Sequence, residues 1–305
     1  MAERSGRWRW ATTLASLLLA SALACAATGA RASAADELRT RFAAAQQQTP
    51  RNPFDRPLYL QSTETAAQLR GDVHALIDQP FERVRQALTQ PDNWCGVLIL
   101  HLNVQYCRAV RSGTQDLLVI GSGRKTEQTL EELYWLRFAF STAVTGEDHF
   151  STRLLAPSGP LGTSDYRIVV EAAPFAPGRT LLHLTYSYAQ GTAARWAMQA
   201  YLGTIGSDKV GFSSTGQRAD GQPQLVGGVR GVLERNTLRY YLAIESFLGT
   251  QALPPPERLN ASLQAWFSAT ERYPLQLHEV ERGEYIEMKL RAVKRQMAVE
   301  APGVK

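Results

Sequence analysis

The sequence predicts an α+β fold: a curved antiparallel sheet gripping one long amphipathic helix, with extra C-terminal helices. Three observations carry this expectation. Six strand-length runs at 102–110, 117–121, 134–143, 150–155, 166–172 and 180–188 are rich in β-branched and aromatic residues. Short turns such as Ser112-Gly113, Thr145-Gly146-Glu147-Asp148 and Pro177-Gly178 divide them, which implies antiparallel pairing. A single long helical run at 229–248 follows and can cover one face of the sheet.

The chain opens with Arg4, Arg7 and Arg9, then an uncharged, mostly apolar run, then Ala30-Arg31-Ala32-Ser33-Ala34. A basic start, an apolar stretch and an Ala-x-Ala site together read as a signal peptide over residues 1–34, cleaved after Ala32 or Ala34. The expected location is therefore periplasmic or secreted. A lipoprotein anchored through Cys25 is the lesser reading, because Leu23 stands two places before the cysteine where the usual pattern has leucine three places before. The whole chain has 33 Lys and Arg against 28 Asp and Glu. The leader holds Arg4, Arg7, Arg9, Arg31 and Glu3, so its removal leaves 29 against 27 and lowers the net charge from +5 to +2. The basic balance is thus largely a targeting feature, and nucleic acid is not an expected partner.

Cys95 and Cys107 are the cysteines beyond the leader. An even pair at this spacing in an oxidising compartment reads as a disulfide, worth on the order of 3 kcal/mol. A metal site using His101 between them is the competing reading, but no CxxC or HxxxH spacing accompanies it, and no metal or other cofactor is expected.

Residues 35–57 read as an N-terminal helix or loose tail followed by a linker with Pro50, Pro53 and Pro57. Strands are expected at 58–62 and 69–77. Pro80 and Pro91 each open a short helix, since proline is tolerated in a first helical turn. In the later strands, alternation puts Tyr134, Leu136, Phe138 and Phe140 on one face; likewise Tyr166, Ile168 and Val170; likewise Leu182, Leu184, Tyr186 and Tyr188. A helix is expected at 192–202, then a Gly-rich connection over 203–228. On the long helix Val229, Val232, Leu233, Tyr240, Ala243, Ile244 and Phe247 form one stripe. After Pro254-Pro255-Pro256, helices are expected at 258–270 and 280–297.

This order resembles the START-like superfamily, the helix-grip fold of lipid-transfer domains and polyketide cyclases. The most suggestive piece is Val73-His74-Ala75-Leu76-Ile77-Asp78-Gln79-Pro80-Phe81-Glu82-Arg83-Val84, a strand running straight into a helix. The resemblance places a helix-grip domain at 58–250 and leaves 251–305 as a helical extension. It implies a cavity between sheet and helix for a hydrophobic or amphipathic, lipid-like small molecule, and is compatible with peripheral membrane contact. Phe138, Phe140, Ile168, Tyr186, Tyr188, Asn236 and Tyr240 would line that space. Asn236 stands out because a buried amide on an apolar stripe needs hydrogen-bond partners. Its neighbours Arg235 and Arg239 read as solvated, or paired with Glu234 and Glu245.

Two further groupings read mainly as turns: Gly121-Ser122-Gly123-Arg124-Lys125, a candidate anion loop without P-loop spacing, and the segment from Gly159 to Asp165. No G-x-S-x-G, H-E-x-x-H or telling carboxylate pair is present. His183 with Glu171 is a candidate acid–base pair on the less apolar face. An enzyme of cyclase or hydrolase type and a non-catalytic envelope scaffold therefore remain as alternatives to a carrier.

Overall fold

A computed structural model describes residues 32–49, 51–126, 128–191 and 209–298, the side chain of Leu161 excepted. The expected leader and the helix expected at 192–202 lie outside the described residues, apart from residues 32–34. The described residues from Ala34 on belong to one compact unit.

Eight strands form one antiparallel sheet: β1 (Leu58–Glu64), β2 (Gln68–Ile77), β3 (Val104–Ser112), β4 (Gln115–Ser122), β5 (Tyr134–Val144), β6 (Phe150–Ser158), β7 (Thr163–Ala176) and β8 (Arg179–Gln190). Their spatial order is β1-β2-β8-β7-β6-β5-β4-β3. The meander from β3 to β8 is built of hairpins, as the turn signals predict. β2 closes on β8, with Leu184 opposite Val73 and Tyr186 opposite Gly71. The helices α2 (Phe81–Leu88) and α3 (Pro91–Leu98) fill the long crossing from β2 to the far edge. Pro91 occupies the first turn of α3, where its missing N–H costs nothing. The Cys95–Cys107 bond, with 5.2 Å between Cα atoms, ties α3 to β3.

The strands alternate faces. Leu182, Leu184, Tyr186 and Tyr188 of β8 join the main core beneath α4 (Gly228–Thr250). Helix and sheet approach closely at Gly71. A Cβ there would stand 2.2 Å from Thr237 Oγ1, so any larger residue would lift the helix away. The result is a helix-grip arrangement.

The helix is not amphipathic in the expected way. It is buried nearly all round, Glu234, Arg235, Thr237 and Arg239 included. Thr237 meets Gly71 of the sheet, and the 210–213 segment covers Glu234 and Arg235. The helices α5 (Pro255–Thr270), α6 (Pro274–Leu277) and α7 (Arg282–Met297) belong to the layer that covers the side a single stripe would have left to solvent. The described part of the extension, 251–298, is thus part of the core's cover. Arg235 and Arg239 are accordingly not solvated. Arg239 Nη2 pairs with Glu279 at 2.8 Å, and Glu245 instead takes Arg56 at 2.6 Å.

Two polar anchors fix these layers. Lys289 of α7 is fully buried and donates to the carbonyls of His101, Leu102 and Val104 at 2.6, 3.3 and 2.6 Å. Glu234 accepts the backbone N–H groups of Phe212 and Ser213, at 2.6 and 2.9 Å, holding that segment against the helix.

The N-terminal residues form an ordered helix, α1 (Ala34–Gln48), instead of a loose tail. Its Leu38, Phe42 and Ala45 cover Tyr59, Ala173 and Leu181 on the outer face of the sheet. The proline-rich stretch is also built in: Phe54 is buried in the main core.

Candidate functional site

The site is built from two neighbouring rows of the inner sheet face. Phe140, Leu154, Ile168, Tyr186 and Gly71 stand opposite one another across β5, β6, β7, β8 and β2. In the next row, Leu118 faces Phe138, Ala156 faces Tyr166, and Tyr188 faces Leu69. Phe138, Phe140, Ile168, Tyr186 and Tyr188 are all buried there. The strand period of two, read from the sequence, suffices to place them on one wall.

Aromatic rings then bridge from sheet to helix. Tyr166 stacks on Tyr188 at 5.1 Å, and Tyr186 meets Tyr240 of α4 at 5.1 Å. Tyr240 in turn stacks on His101 at 4.6 Å. Gly159 makes room for this wall: a Cβ on it would come within 2.1 Å of the Tyr166 ring. The turn at 159–165 therefore borders the tyrosines. Tyr166 Oη is bonded to Thr163 Oγ1 at 2.8 Å. The hydroxyls of Tyr186, Tyr188 and Tyr240 have no hydrogen-bond partner among the described residues. Burial raises all three phenols above their ordinary pKa, so each remains an O–H donor near neutral pH.

At the far end of the ring series the wall turns polar. Asn236 lies one helical turn before Tyr240 and is half-buried. Its Oδ1 accepts from Arg239 Nη1 at 3.2 Å. Arg239 also bonds the Leu277 carbonyl and Glu279, and Glu279 receives Lys125 Nζ as well. Lys125 thus serves an ion pair and not an open anion loop. Burial opposes the charge on Glu279, but Arg239 and Lys125 outweigh it and hold the carboxyl below its usual range.

His101 is buried, and its Nδ1 accepts the Asn103 N–H at 3.3 Å. Its Nε2 makes no hydrogen bond of good geometry, although the Asn236 amide is close enough to favour a proton there. Burial, and then the charges of Arg239 and Lys289, push its pKa well down, so the ring is neutral. With Nδ1 accepting, the neutral ring carries its proton on Nε2. His101 is not a zinc ligand beside Cys95 and Cys107, because both sulfurs are in the disulfide. Among the described residues no group of His, Cys, Asp and Glu is arranged to hold a metal ion.

Sequence reasoning placed Asn236 and Tyr240 on α4 as lining residues, but read Tyr166 only as a strand residue, His101 only as a rival metal ligand and Arg239 as solvated or paired, and did not single out Glu279. Tyr166 was legible, since it alternates with Ile168. His101 lies in a turn, and Glu279 lies 40 residues beyond Arg239, so no local period links them.

The His183–Glu171 pair exists, on the opposite face from the tyrosines. His183 Nδ1 lies 3.2 Å from Glu171 Oε2 and its Nε2 2.8 Å from Asp72 Oδ1. Burial disfavours the charged ring, but the two carboxylates outweigh it and raise its pKa. With both nitrogens committed, the ring has no lone pair to offer a substrate. Arg41 of α1 clamps Glu171 at 2.9 and 3.1 Å, so the cluster fastens the N-terminal helix to the sheet.

No protein-family model matches the chain, and no curated protein matches it. Solved structures similar to it include norcoclaurine synthase from Thalictrum flavum, at 10% identity and a TM-score of 0.33, covering 47% of this chain and 91% of that one. Human STARD10, at 8% identity and a TM-score of 0.33, covers 55% of this chain and 74% of that one. The Zhui aromatase/cyclase from Streptomyces sp. R1128, at 12% identity and a TM-score of 0.32, covers 66% and 94%. Overlaps this low carry no argument by themselves; the helix-grip arrangement stands on strand order, register and the seat of α4.

Proposed function

We propose that the chain binds a hydrophobic or amphipathic small molecule, lipid-like in character, between the inner sheet face and α4, outside the cytoplasm. One observation carries the reading: Tyr186, Tyr188 and Tyr240 bring three phenol donors onto an apolar wall, with no acceptor for them among the described residues. A polar group in a core is ordinarily paired. Three unpaired ones on a single wall suit a ligand that is apolar over most of its surface and accepts hydrogen bonds at a few points. The polar end at Asn236, His101 and Arg239 gives such a ligand an orientation.

Extracytoplasmic location is supported by the sequence of the leader and by the Cys95–Cys107 bond, which persists in oxidising compartments. Among the described residues no helix is long and apolar enough to cross a membrane. The doubly committed His183 and the distance of its cluster from the tyrosine wall favour carriage over acid–base catalysis. Titration of the purified chain with an environment-sensitive fluorescent fatty-acid analogue tests the reading. Saturable uptake, competed by unlabelled amphiphiles, is expected. Emission that rises without saturation, or not at all, contradicts it.

A further inference from the structure

The outer sheet face is covered unequally. Over β1, β2, β7 and β8 lie α1 and the His183 cluster, and the Tyr106 end of β3–β5 is closed by Leu130 and Leu133. Between them an apolar row crosses the sheet in register: Val110 opposite Leu117, Leu117 opposite Ala139, Ala139 opposite Leu155, Leu155 opposite Arg167. Leu155 is 39% exposed.

Arginines border this row on both sides. Arg108 and Arg137 flank Val119 in the row on one side, roughly 10 Å apart across two strand spacings. Arg153, opposite Val169, stands on the other side, and Arg167 closes the end. All four side chains are exposed. Arg108, Arg153 and Arg167 make no ion pair among the described residues. The outward positions of β3 to β6 hold no carboxylate. On β7, Glu171 is taken by Arg41 and His183, which leaves Asp165 in the bulge ahead of Arg167. A sheet could have balanced Arg108, Arg153 and Arg167 with cross-strand acids, and among the described residues this one does not, whereas Arg70 is balanced by Asp72 of its own strand at 2.7 Å.

We infer that this face docks on a membrane surface rich in anionic phospholipid, with Leu155 and its row at the headgroup level and the arginines on lipid phosphates. Guanidinium forks engage phosphate bidentately and are weakly hydrated, which suits that interface better than lysine would. The shallow apolar row matches contact without insertion. The inference goes beyond small-molecule binding and does not depend on it, because the face lies on the far side of the sheet from the tyrosine wall.

Vesicle co-sedimentation tests it with the purified chain. The expected result is binding to phosphatidylcholine vesicles carrying about 30% phosphatidylglycerol, little binding to pure phosphatidylcholine, and loss of binding at about 0.5 M salt. The Arg153→Gln/Arg167→Gln variant should bind about 25-fold more weakly, roughly fivefold per charge. Arg218→Gln, an exposed arginine in the turn between Gln217 and Pro223, should bind as the parent does. All three substituted positions are exposed, so unchanged melting curves confirm folding, and Arg153→Lys/Arg167→Lys should retain most of the binding. Equal binding to neutral vesicles, or no loss in the double glutamine variant, overturns the inference. So does absence of vesicle binding while the same arginines retain an acidic polypeptide, which would make the face a protein-docking site.

Discussion

Replacing Tyr186 by phenylalanine removes one oxygen and leaves the ring. The ring's neighbours are Tyr166, Tyr188 and Tyr240 at 6.3, 5.8 and 5.1 Å, and none of these contacts needs the hydroxyl. The residue is 5% exposed, and its hydroxyl has no partner among the described residues. A fully buried donor left unpaired costs roughly 1–3 kcal/mol, but the Tyr186 oxygen is not fully buried and keeps some accessible surface, so its removal relieves only part of that. Without ligand, Tyr186→Phe should therefore be as stable as the parent or more so, by up to about 1 kcal/mol, an upward shift of about 2–4 °C for a chain of this size. With the natural ligand, the lost hydrogen bond should weaken affinity roughly three- to tenfold. Thermal melts of delipidated and ligand-loaded protein read both effects. A melting temperature several degrees below the parent with ligand affinity unchanged would refute the reasoning, because it would make the hydroxyl a structural group.

Other outcomes follow from the same geometry. Asn236→Leu withdraws the acceptor from the buried Arg239 while Glu279 and the Leu277 carbonyl remain; a loss of about 1–2 kcal/mol in urea unfolding is expected, together with reduced ligand retention. Lys289→Met leaves three buried carbonyls without their donor and should cost about 3 kcal/mol or more, read the same way. Thiol labelling under denaturing, non-reducing conditions should find neither Cys95 nor Cys107 free, and Cys95→Ser/Cys107→Ser should lose on the order of 3 kcal/mol. His183 has its pKa raised in the folded state, so its contribution is full below about pH 6.5 and declines as pH rises through the raised value. Asp72 and Glu171 are held low, Glu171 at about 2, so theirs is full above about pH 4 and fades as pH falls below that. Together these three groups contribute most between about pH 4 and 6.5. The buried His74 and His101 oppose them there, because their lowered pKa values cost stability as pH falls below about 6.5. His183→Gln should reduce the loss of stability on the alkaline side.

The sheet was legible because one side of each strand is buried and the period of two is short. Tyr186 and Tyr188 fall on the inner face whatever lies above them. The ends of α4 were also legible, 229–248 against the observed Gly228–Thr250. Its surroundings were not. A stripe identifies a helix with one covered side, and α4 is covered on both, so Arg235 and Arg239 looked like surface charge. What buries Arg235 is the 210–213 segment ahead of the helix, and what buries Arg239 arrives from Leu277 and Glu279, far along the chain. Lys289 carries the same lesson: between Met288 and Leu290 it reads as an exposed charge, yet its ammonium closes the turn after α3. The N-terminal helix has few large apolar residues, and it is held by Leu38, Phe42 and the Arg41–Glu171 pair across a sequence gap no local rule spans.

Mass spectrometry of the native chain, purified from its own compartment and then denatured, tests the central claim most directly. The account predicts a bound small molecule, apolar over most of its mass with at least one hydrogen-bond acceptor, present near one per chain and depleted in Tyr186→Phe and Asn236→Leu. A bare protein mass that stays bare after incubation with envelope lipid extract would contradict it, and would leave the tyrosine wall as packing.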